Sequence, residues 1–264
     1  MLRVIKTFYK NCDKKILFSF LSLYLLVIIS MIIQIFDQNY HNAFLCVLVL
    51  ILFLIPYLID KKTKISLPDP LEIMILFFIF STTILGEVRN FYSVFPYWDL
   101  ILHTLSGFLS AAIGFSLVNV LNSSNHMFLK LSPIFVCVVA LCFSMTIGVL
   151  WEFFEFAGDR YFHKDMQKDE IVTKISSVKL NSDRNNIPVR IEDIDQTIIY
   201  SNHYQNVIKI DGGYLDIGLV DTMEDLFFNL LGAIFFSIFG FIYIKKKKDG
   251  MITELFVLTL KEQV

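Results

Sequence analysis

The chain has 264 residues, of which 55% are hydrophobic and 18% are charged, and its mean hydropathy is +0.62. This composition excludes a disordered chain, a collagen and a small disulfide-stapled domain. The formal net charge of −2 gives no reason to expect a nucleic-acid partner. The apolar residues occur in long blocks rather than at amphipathic spacing, so the composition favours an integral membrane protein over a soluble globule.

Six apolar blocks are long enough to cross a membrane, because a hydrocarbon core about 30 Å thick requires roughly 20 apolar residues in a helix. The blocks cover residues 16–36, 43–59, 71–86, 100–121, 132–152 and 226–244. We therefore predict an all-α integral membrane protein with six transmembrane helices and a small, partly β extracytoplasmic loop between helices five and six. The predicted segments in chain order are a basic arm (1–15), helices one to five (16–155), the extracytoplasmic loop (156–220), helix six (221–244) and a tail (245–264).

Lysine and arginine residues set the predicted orientation, because cytoplasmic loops carry an excess of them. Five lie in the arm before the first helix, three lie in the loop 60–70, and four form the run Lys245–Lys248. The loops 37–42, 87–99 and 122–131 carry none, one and one. We therefore predict a multi-pass protein of the cell membrane with both termini in the cytoplasm and the long loop outside.

Three segments of the long loop show the pattern of short strands. Ile187–Ile191 alternates apolar and polar residues, and residues 171–179 and 207–210 alternate more loosely. Pro188 confines the first of these to a sheet edge. The sequence Asp211-Gly212-Gly213 is typical of a turn. We expect a small β-hairpin cap over the helical bundle.

Polar residues form a stripe on each of the last three predicted spans, whereas the first two spans contain no acidic or basic residue. Members of a stripe recur three or four positions apart and so share one helix face. The stripes are Asp99, His103 and Gly107; Gly148, Glu152, Glu155 and Asp159; and Asp221, Asp225, Asn229 and Gly232. The second stripe is one face only if its helix continues through Asp159. Each stripe ends in a glycine at its deeper end, where small residues permit close helix approach.

The predicted topology places the acidic end of every stripe near the extracytoplasmic surface, so we expect one shared pocket there. Six ionised carboxylates cannot share a small low-dielectric site unless protons or cations compensate them. Carboxylates with one histidine suit a divalent metal such as Mg²⁺, Mn²⁺, Ca²⁺ or Zn²⁺. The candidate metal ligands are Asp99, His103, Glu152, Glu155, Asp221 and Asp225. The candidate catalytic residues are Glu152 and Asp225.

A purely structural role fits the same residues. Ionisable groups at membrane depth are costly, and they also occur as interhelical networks of hydrogen bonds and ion pairs. Taken singly, His103 is more typical of a paired buried histidine than of a metal ligand. Asn229 is more typical of hydrogen bonding between helices.

The order of these motifs resembles the VanZ-like superfamily of bacterial membrane proteins, and most closely its YjdF-type branch. The matching segments are Asp99–Gly107, Trp151–Glu155 and Asp221–Gly232. The VanZ-type pattern often has Gln where Glu155 stands, and residues 165–210 look like an insertion between the last two spans. The resemblance implies a multi-span membrane protein, associated in some members with resistance to glycopeptide antibiotics, without implying an agreed reaction.

Two functions are compatible with the sequence. In the first, an outward-facing metal or proton site acts on an envelope lipid or cell-wall precursor; a metal beside a spare acid could activate water against a lipid-linked ester or phosphate. In the second, the protein is a non-enzymatic lipid binder, accessory subunit or small transporter. The absence of a nucleophile motif, a nucleotide loop and an HExxH motif favours the second function. Membrane lipid is the expected partner in both, and a lipid-linked envelope precursor in the first.

Overall fold

The computed structural model describes residues 14–62, 65–123, 131–183, 185–203, 205–246 and 256–260. Most of the predicted basic arm, residues 1–13, and Lys247–Lys248 lie outside the described residues. The helices are α1 (Lys14–Phe36), α2 (Tyr40–Leu52), α3 (Ile55–Lys62), α4 (Asp69–Phe80), a π-helix (Ser81–Val88), α5 (Phe91–Val94), α6 (Trp98–Ser123), α7 (Pro133–Phe162) and α8 (Leu219–Lys245). Within the described ranges, six helical spans are long and apolar enough to cross a membrane.

Four spans are longer than their apolar blocks predict: Tyr40–Ile59, Asp69–Val88, Pro133–Phe162 and Leu219–Lys245. A helix can continue through the polar residues that end an apolar block. At a helix N-terminus, carboxylates are favourable because they interact with the helix dipole. Asp69 and Glu72 occupy the first turn of α4 in this way. Because α7 continues to Phe162 and α8 begins at Leu219, the loop between them covers residues 163–218 and not the predicted 156–220. The continuation of α7 to Phe162 also confirms that Asp159 belongs to the helix.

The exposure pattern of α7 is the reverse of that of a helix in a soluble protein. Phe153 and Phe154 are 65% and 59% exposed, whereas Glu152 and Glu155 are 4% and 7% exposed. Burying acids while exposing phenylalanines is unfavourable in water and favourable where the surroundings are hydrocarbon. This arrangement supports a membrane-spanning α7.

The chain divides into two compact units, one formed by residues 1–148 with 226–264 and the other by residues 149–225. The first unit contains two apolar cores. One is built mainly from α1, α2, α4 and the π-helix, and includes Val27, Cys46, Val49, Phe53, Leu76 and Ile84. The other is built mainly from α4, α6, α7, α8 and the last described segment, and includes Leu71, Ala112, Phe115, Val136, Phe236, Val257 and Leu258.

The segment 256–260 returns to the helices of the first unit. Val257 and Leu258 are buried, and the Leu258 backbone N–H donates a hydrogen bond of 2.9 Å to Ser116 Oγ. Next to them, β8 (Thr259–Leu260) pairs antiparallel with β1 (Ile65–Ser66). The pairing brings the last described segment beside the start of the segment that leads into α4. That the tail and the loop 60–70 lie in the cytoplasm stays a prediction.

The second unit carries three two-stranded antiparallel sheets between its helices. They pair β2 (Ile171–Val172) with β7 (Tyr214–Leu215), β3 (Ile175–Ser177) with β4 (Val189–Ile191), and β5 (Gln196–Ser201) with β6 (Asn206–Asp211). A 3₁₀ turn (Val178–Leu180) follows β3. The three strand-like segments predicted from the sequence are therefore confirmed as containing strands. Placement of these sheets as a cap over the bundle stays a prediction.

Candidate functional site

Three carboxylates converge in the second unit. Glu152 and Glu155 lie on one face of α7, and Asp225 lies in the second turn of α8. One oxygen atom of each carboxylate lies within 4.8 Å of the other two. Asp225 is fully buried, and both glutamates are more than nine-tenths buried. We call this group the carboxylate triad; it includes both candidate catalytic residues.

Mutual repulsion prevents the carboxylate triad from being fully ionised by itself. Two unit charges 4.8 Å apart repel each other by about 3.5 kcal/mol at an effective dielectric constant of ~20. Three such pairs would cost on the order of 10 kcal/mol, which is comparable to the whole stability of a typical domain. Protons or positively charged partners would relieve this repulsion.

A tryptophan adjoining the triad holds one of its members. The indole Nε1 of Trp151 donates a hydrogen bond of 2.9 Å to Oε1 of Glu155, one helical turn away. The Trp151 ring is 47% exposed and lies 5.3 Å from the ring of Phe154. An indole with one apolar face outward and its N–H on a polar partner is typical of membrane proteins.

Two further acids of the predicted stripes bind the backbone of the loop that follows α7. Asp159 accepts hydrogen bonds from the backbone N–H groups of Met166 at 2.6 Å and Gln167 at 2.8 Å. Asp221 accepts one from the backbone N–H of Lys168 at 2.7 Å. These bonds give both residues a structural role in fastening the loop. The predicted metal-ligand role of Asp221 stays a prediction.

Side chains that the sequence did not single out complete this fastening. Gln167 Nε2 donates to Thr222 Oγ1 at 2.5 Å, which ties the loop to the first turn of α8. Asp216 accepts backbone hydrogen bonds from Val220 at 2.6 Å and Glu170 at 2.8 Å. Burial raises the pKa of Asp216, but these bonds together with one from Gly218 outweigh it and hold the pKa below its ordinary value. The Asp216 carboxylate thus stays charged and keeps the loop attached at neutral pH.

The remaining candidate ligands, Asp99 and His103, lie in the first unit. Nε2 of His103 is 3.5 Å from Oδ1 of Asp99, one turn earlier on α6. His103 is buried, which matches the paired buried histidine considered from the sequence. That this pair joins the carboxylate triad stays a prediction.

The glycines on two of the stripes mark a crossing of α6 and α8 in the first unit. A Cβ atom placed on Gly107 would overlap the backbone carbonyl oxygen of Asn229. A Cβ placed on Gly232 would likewise overlap the backbone carbonyl oxygen of Thr104. Each glycine therefore lets the other helix approach backbone to backbone. The prediction that these residues lie at helix contacts is confirmed.

Asn229 extends this crossing to α7. Its Nδ2 donates to the backbone oxygen of Ser144 at 3.4 Å, while Ser144 Oγ donates to the backbone oxygen of Gly107 at 2.9 Å. A Cβ on Gly148 would lie 2.9 Å from Asn229 Nδ2, so this glycine also lies at a helix contact, as predicted. Ser144 precedes Gly148 by one turn on the same stripe, so extending the stripe by one position would have identified it.

A family model described as a predicted membrane protein (DUF2238) matches residues 17–246, which include the described helices of all six spans and the intervening loop. The chain belongs to the DUF2238 family. The family membership agrees with the inverted exposure of α7 and establishes this DUF2238 protein as a multi-pass membrane protein.

One curated relative of this DUF2238 protein is an uncharacterized protein of Thermotoga maritima. The two are 27% identical over 105 residues, which is 40% of this chain and 52% of the relative. The chain thus spans about half the length of the curated relative that it matches. No solved structure matches the chain.

Proposed function

We propose that this protein binds a divalent cation through Glu152, Glu155 and Asp225, and that with this cation it acts on a lipid-linked envelope precursor at the extracytoplasmic surface of the cell membrane. The observation that carries the proposal is the convergence of three buried carboxylates within 4.8 Å. Their combined charge requires a positive partner or protons. Glu152 and Asp225 are the proposed catalytic residues.

The spacing of the carboxylate triad suits one ion. Ligands on opposite sides of Ca²⁺ lie about 4.6–5.2 Å apart, and those of Mg²⁺ about 4.0–4.2 Å apart. The triad's oxygen atoms all lie within 4.8 Å of one another, which is compatible with ligation of one divalent cation. A cation at this position supplies Lewis acidity toward a phosphate or ester oxygen.

The location of the carboxylate triad supports a lipid-linked substrate. Glu152 and Glu155 share α7 with Phe153 and Phe154, whose exposed rings face hydrocarbon in a membrane. A molecule with a polar head on an acyl or polyprenyl chain suits this position, because its head can contact the carboxylates while its chain lies against the exposed rings. The resemblance of the motifs to the VanZ-like superfamily supports a role in the cell envelope, and the lysine distribution supports an extracytoplasmic position.

A structural network is the second candidate function for these residues. The hydrogen bond from Trp151 to Glu155 and the amide of Asn229 between α7 and α8 favour it. In this case the protein is a non-enzymatic lipid-binding or accessory protein. Amides would then replace the acids with little loss, because interhelical hydrogen bonds contribute only about 0.6–2 kcal/mol each.

Metal analysis of the purified protein separates the two candidates. Wild type, Glu152→Gln and Asp225→Asn are compared for bound metal and for Mn²⁺ affinity. Glu224→Gln is the matched control, because Glu224 is exposed and adjoins Asp225 on α8. We expect the triad variants to lose more affinity than the roughly 10–100-fold typical of changes around a metal site, and the control to bind normally.

Activity is tested with the same four proteins in detergent micelles. The substrates are a polyprenyl diphosphate, assayed for phosphate release, and a phospholipid, assayed for fatty-acid release. Cation-dependent release by wild type and Glu224→Gln but not by the triad variants supports the enzyme. Cation binding without release leaves a cation-dependent lipid binder. Wild type without bound cation, with stable and normally inserted amide variants, supports the structural network.

A further inference from the structure

We infer that Asn229 is a positioning residue for the carboxylate triad, because it fixes the registration of α8 against α7 one helical turn away from Asp225 and Glu152. This inference rests on the proposed function, because cation affinity is the quantity that reports a change in the geometry of the triad most sensitively. Asn229 is 1% exposed and lies on α8, four positions after Asp225, so the two residues share one helix face.

The contacts of Asn229 restrain motion along α8. Its backbone carbonyl oxygen fills the space that a side chain at Gly107 would need, so α6 and α8 are in backbone contact there. A slide of α8 by one residue would bring a different backbone unit against Gly107. Gly232 makes the reciprocal contact with Thr104 one turn further on, so two successive turns are locked.

The side chain of Asn229 restrains α8 against α7. The amide lies against Gly148 and donates to the carbonyl oxygen of Ser144, so it contacts two successive turns of α7. Gly148 precedes Glu152 by four positions on the same face. The contact between Asn229 and Gly148 thus sits one turn from the acids on both helices. An apolar side chain at 229 keeps burial but loses the directional hydrogen bond to Ser144.

A shift of either helix would change the distances between the carboxylates of the triad and so weaken cation binding. The carboxylate oxygens are within 4.8 Å, and cation ligation requires distances held to a few tenths of an ångström. A rise of 1.5 Å per residue means that even a one-residue slip separates the acids by more than that tolerance. Asn229 therefore acts through Glu152 and Asp225 without touching the cation itself.

The test compares Mn²⁺ affinity and thermal unfolding in wild type, Asn229→Leu, Gly148→Ala and the control Gly240→Ala. Gly240 packs against the ring of Phe115, three turns from Asn229 on α8. We expect Asn229→Leu and Gly148→Ala each to weaken Mn²⁺ binding about 10–100-fold. Their double variant should lose less than the product of the two effects, because both act through one contact. Gly240→Ala should lower thermal stability and leave affinity unchanged.

A second measurement reports the distance between positions 152 and 225 and does not depend on a bound cation. Cysteines replace Glu152 and Asp225 in a chain whose native cysteines are serine, and a short bifunctional methanethiosulfonate reagent reports whether they remain close. Cross-linking should fall when Asn229→Leu is added and persist with Gly240→Ala. Wild-type Mn²⁺ affinity in Asn229→Leu, or unchanged cross-linking in it, overturns the inference. Failure of the wild type to bind Mn²⁺ overturns the proposed cation site, and cross-linking then decides the inference.

Discussion

Trp151 donates a hydrogen bond of 2.9 Å from its indole Nε1 to Oε1 of Glu155, which is 7% exposed. The bond links a half-exposed ring to a carboxylate of the triad, within one turn of α7. Since one Glu155 oxygen is committed to the indole, the rotation of the carboxylate is restricted. The outer surface of α7 therefore helps to set the geometry of the buried acids.

Replacing Trp151 by Phe should weaken cation binding with little loss of stability. Phenylalanine keeps an aromatic ring beside Phe154 but cannot donate a hydrogen bond. We expect Mn²⁺ affinity to fall about tenfold and the thermal midpoint to change by only a few degrees. The control is Phe154→Leu, which alters the same exposed surface; equal effects of the two variants on affinity would contradict the prediction.

The length of the apolar blocks locates the six spans, and the spacing of the polar residues locates the stripes that contain the triad. The spacing of Glu152, Glu155 and Asp225 predicts that each faces inward, because apolar neighbours occupy the other helix faces. The roles of Asp159 and Asp221 were not predictable from spacing, since they depend on how residues 166–168 fold back to offer their backbone N–H groups. The strand β5 was missed because Thr197-Ile198-Ile199-Tyr200 lacks strict alternation.

Glycine replacements should destabilise the protein in a fixed order. A Cβ at Gly107 or Gly232 meets a backbone carbonyl, which cannot move without separating α6 from α8. A Cβ at Gly240 meets the ring of Phe115, and a Cβ at Gly114 meets the Cβ and ring of Phe143; both are side chains, which shift more readily than a backbone carbonyl. We therefore expect the alanine variants at Gly107 and Gly232 to lower the detergent melting temperature more than those at Gly114 and Gly240. Equal melting temperatures for all four variants would refute the backbone contact.

Protonation of Asp216 should release the loop that joins α7 to α8. Its pKa lies below the ordinary value of 3.8 because three backbone N–H groups bind the carboxylate and outweigh its burial. A depressed folded-state pKa means that the stabilisation is complete above pH 3.8 and is lost as the pH falls through the lower value. The protection of the Glu170 and Val220 amides, measured as exchange relative to the intrinsic rate at each pH, should therefore stay high at neutral pH and fall only below that range.

The variant Asp216→Asn tests this assignment at constant pH. It removes the negative charge, so we expect faster exchange at Glu170 and Val220 already at pH 7. The difference from wild type should disappear once the wild-type carboxyl is protonated. Asp193→Asn serves as the control, because Asp193 is exposed in the same loop. A pH-independent difference between wild type and Asp216→Asn would show that shape rather than charge holds the loop.

Cysteine labelling tests the predicted orientation. Asp195→Cys and Lys246→Cys place exposed thiols in the long loop and at the end of α8 in a cysteine-free chain. A membrane-impermeant maleimide added to intact cells should label position 195 and reach position 246 only after permeabilisation. Labelling of position 246 alone in intact cells would invert the topology and move the carboxylate triad to the cytoplasmic side.

The contact of the segment 256–260 with the helices bears on the order in which the protein assembles. Val257 and Leu258 share a core with Leu71 and Phe115, although most of the chain separates the two pairs. The ribosome completes α4 and α6 long before it reaches Val257, so the surface that this segment covers stays uncovered until then. The first unit therefore closes only after synthesis has reached Leu260, when β8 can pair with β1.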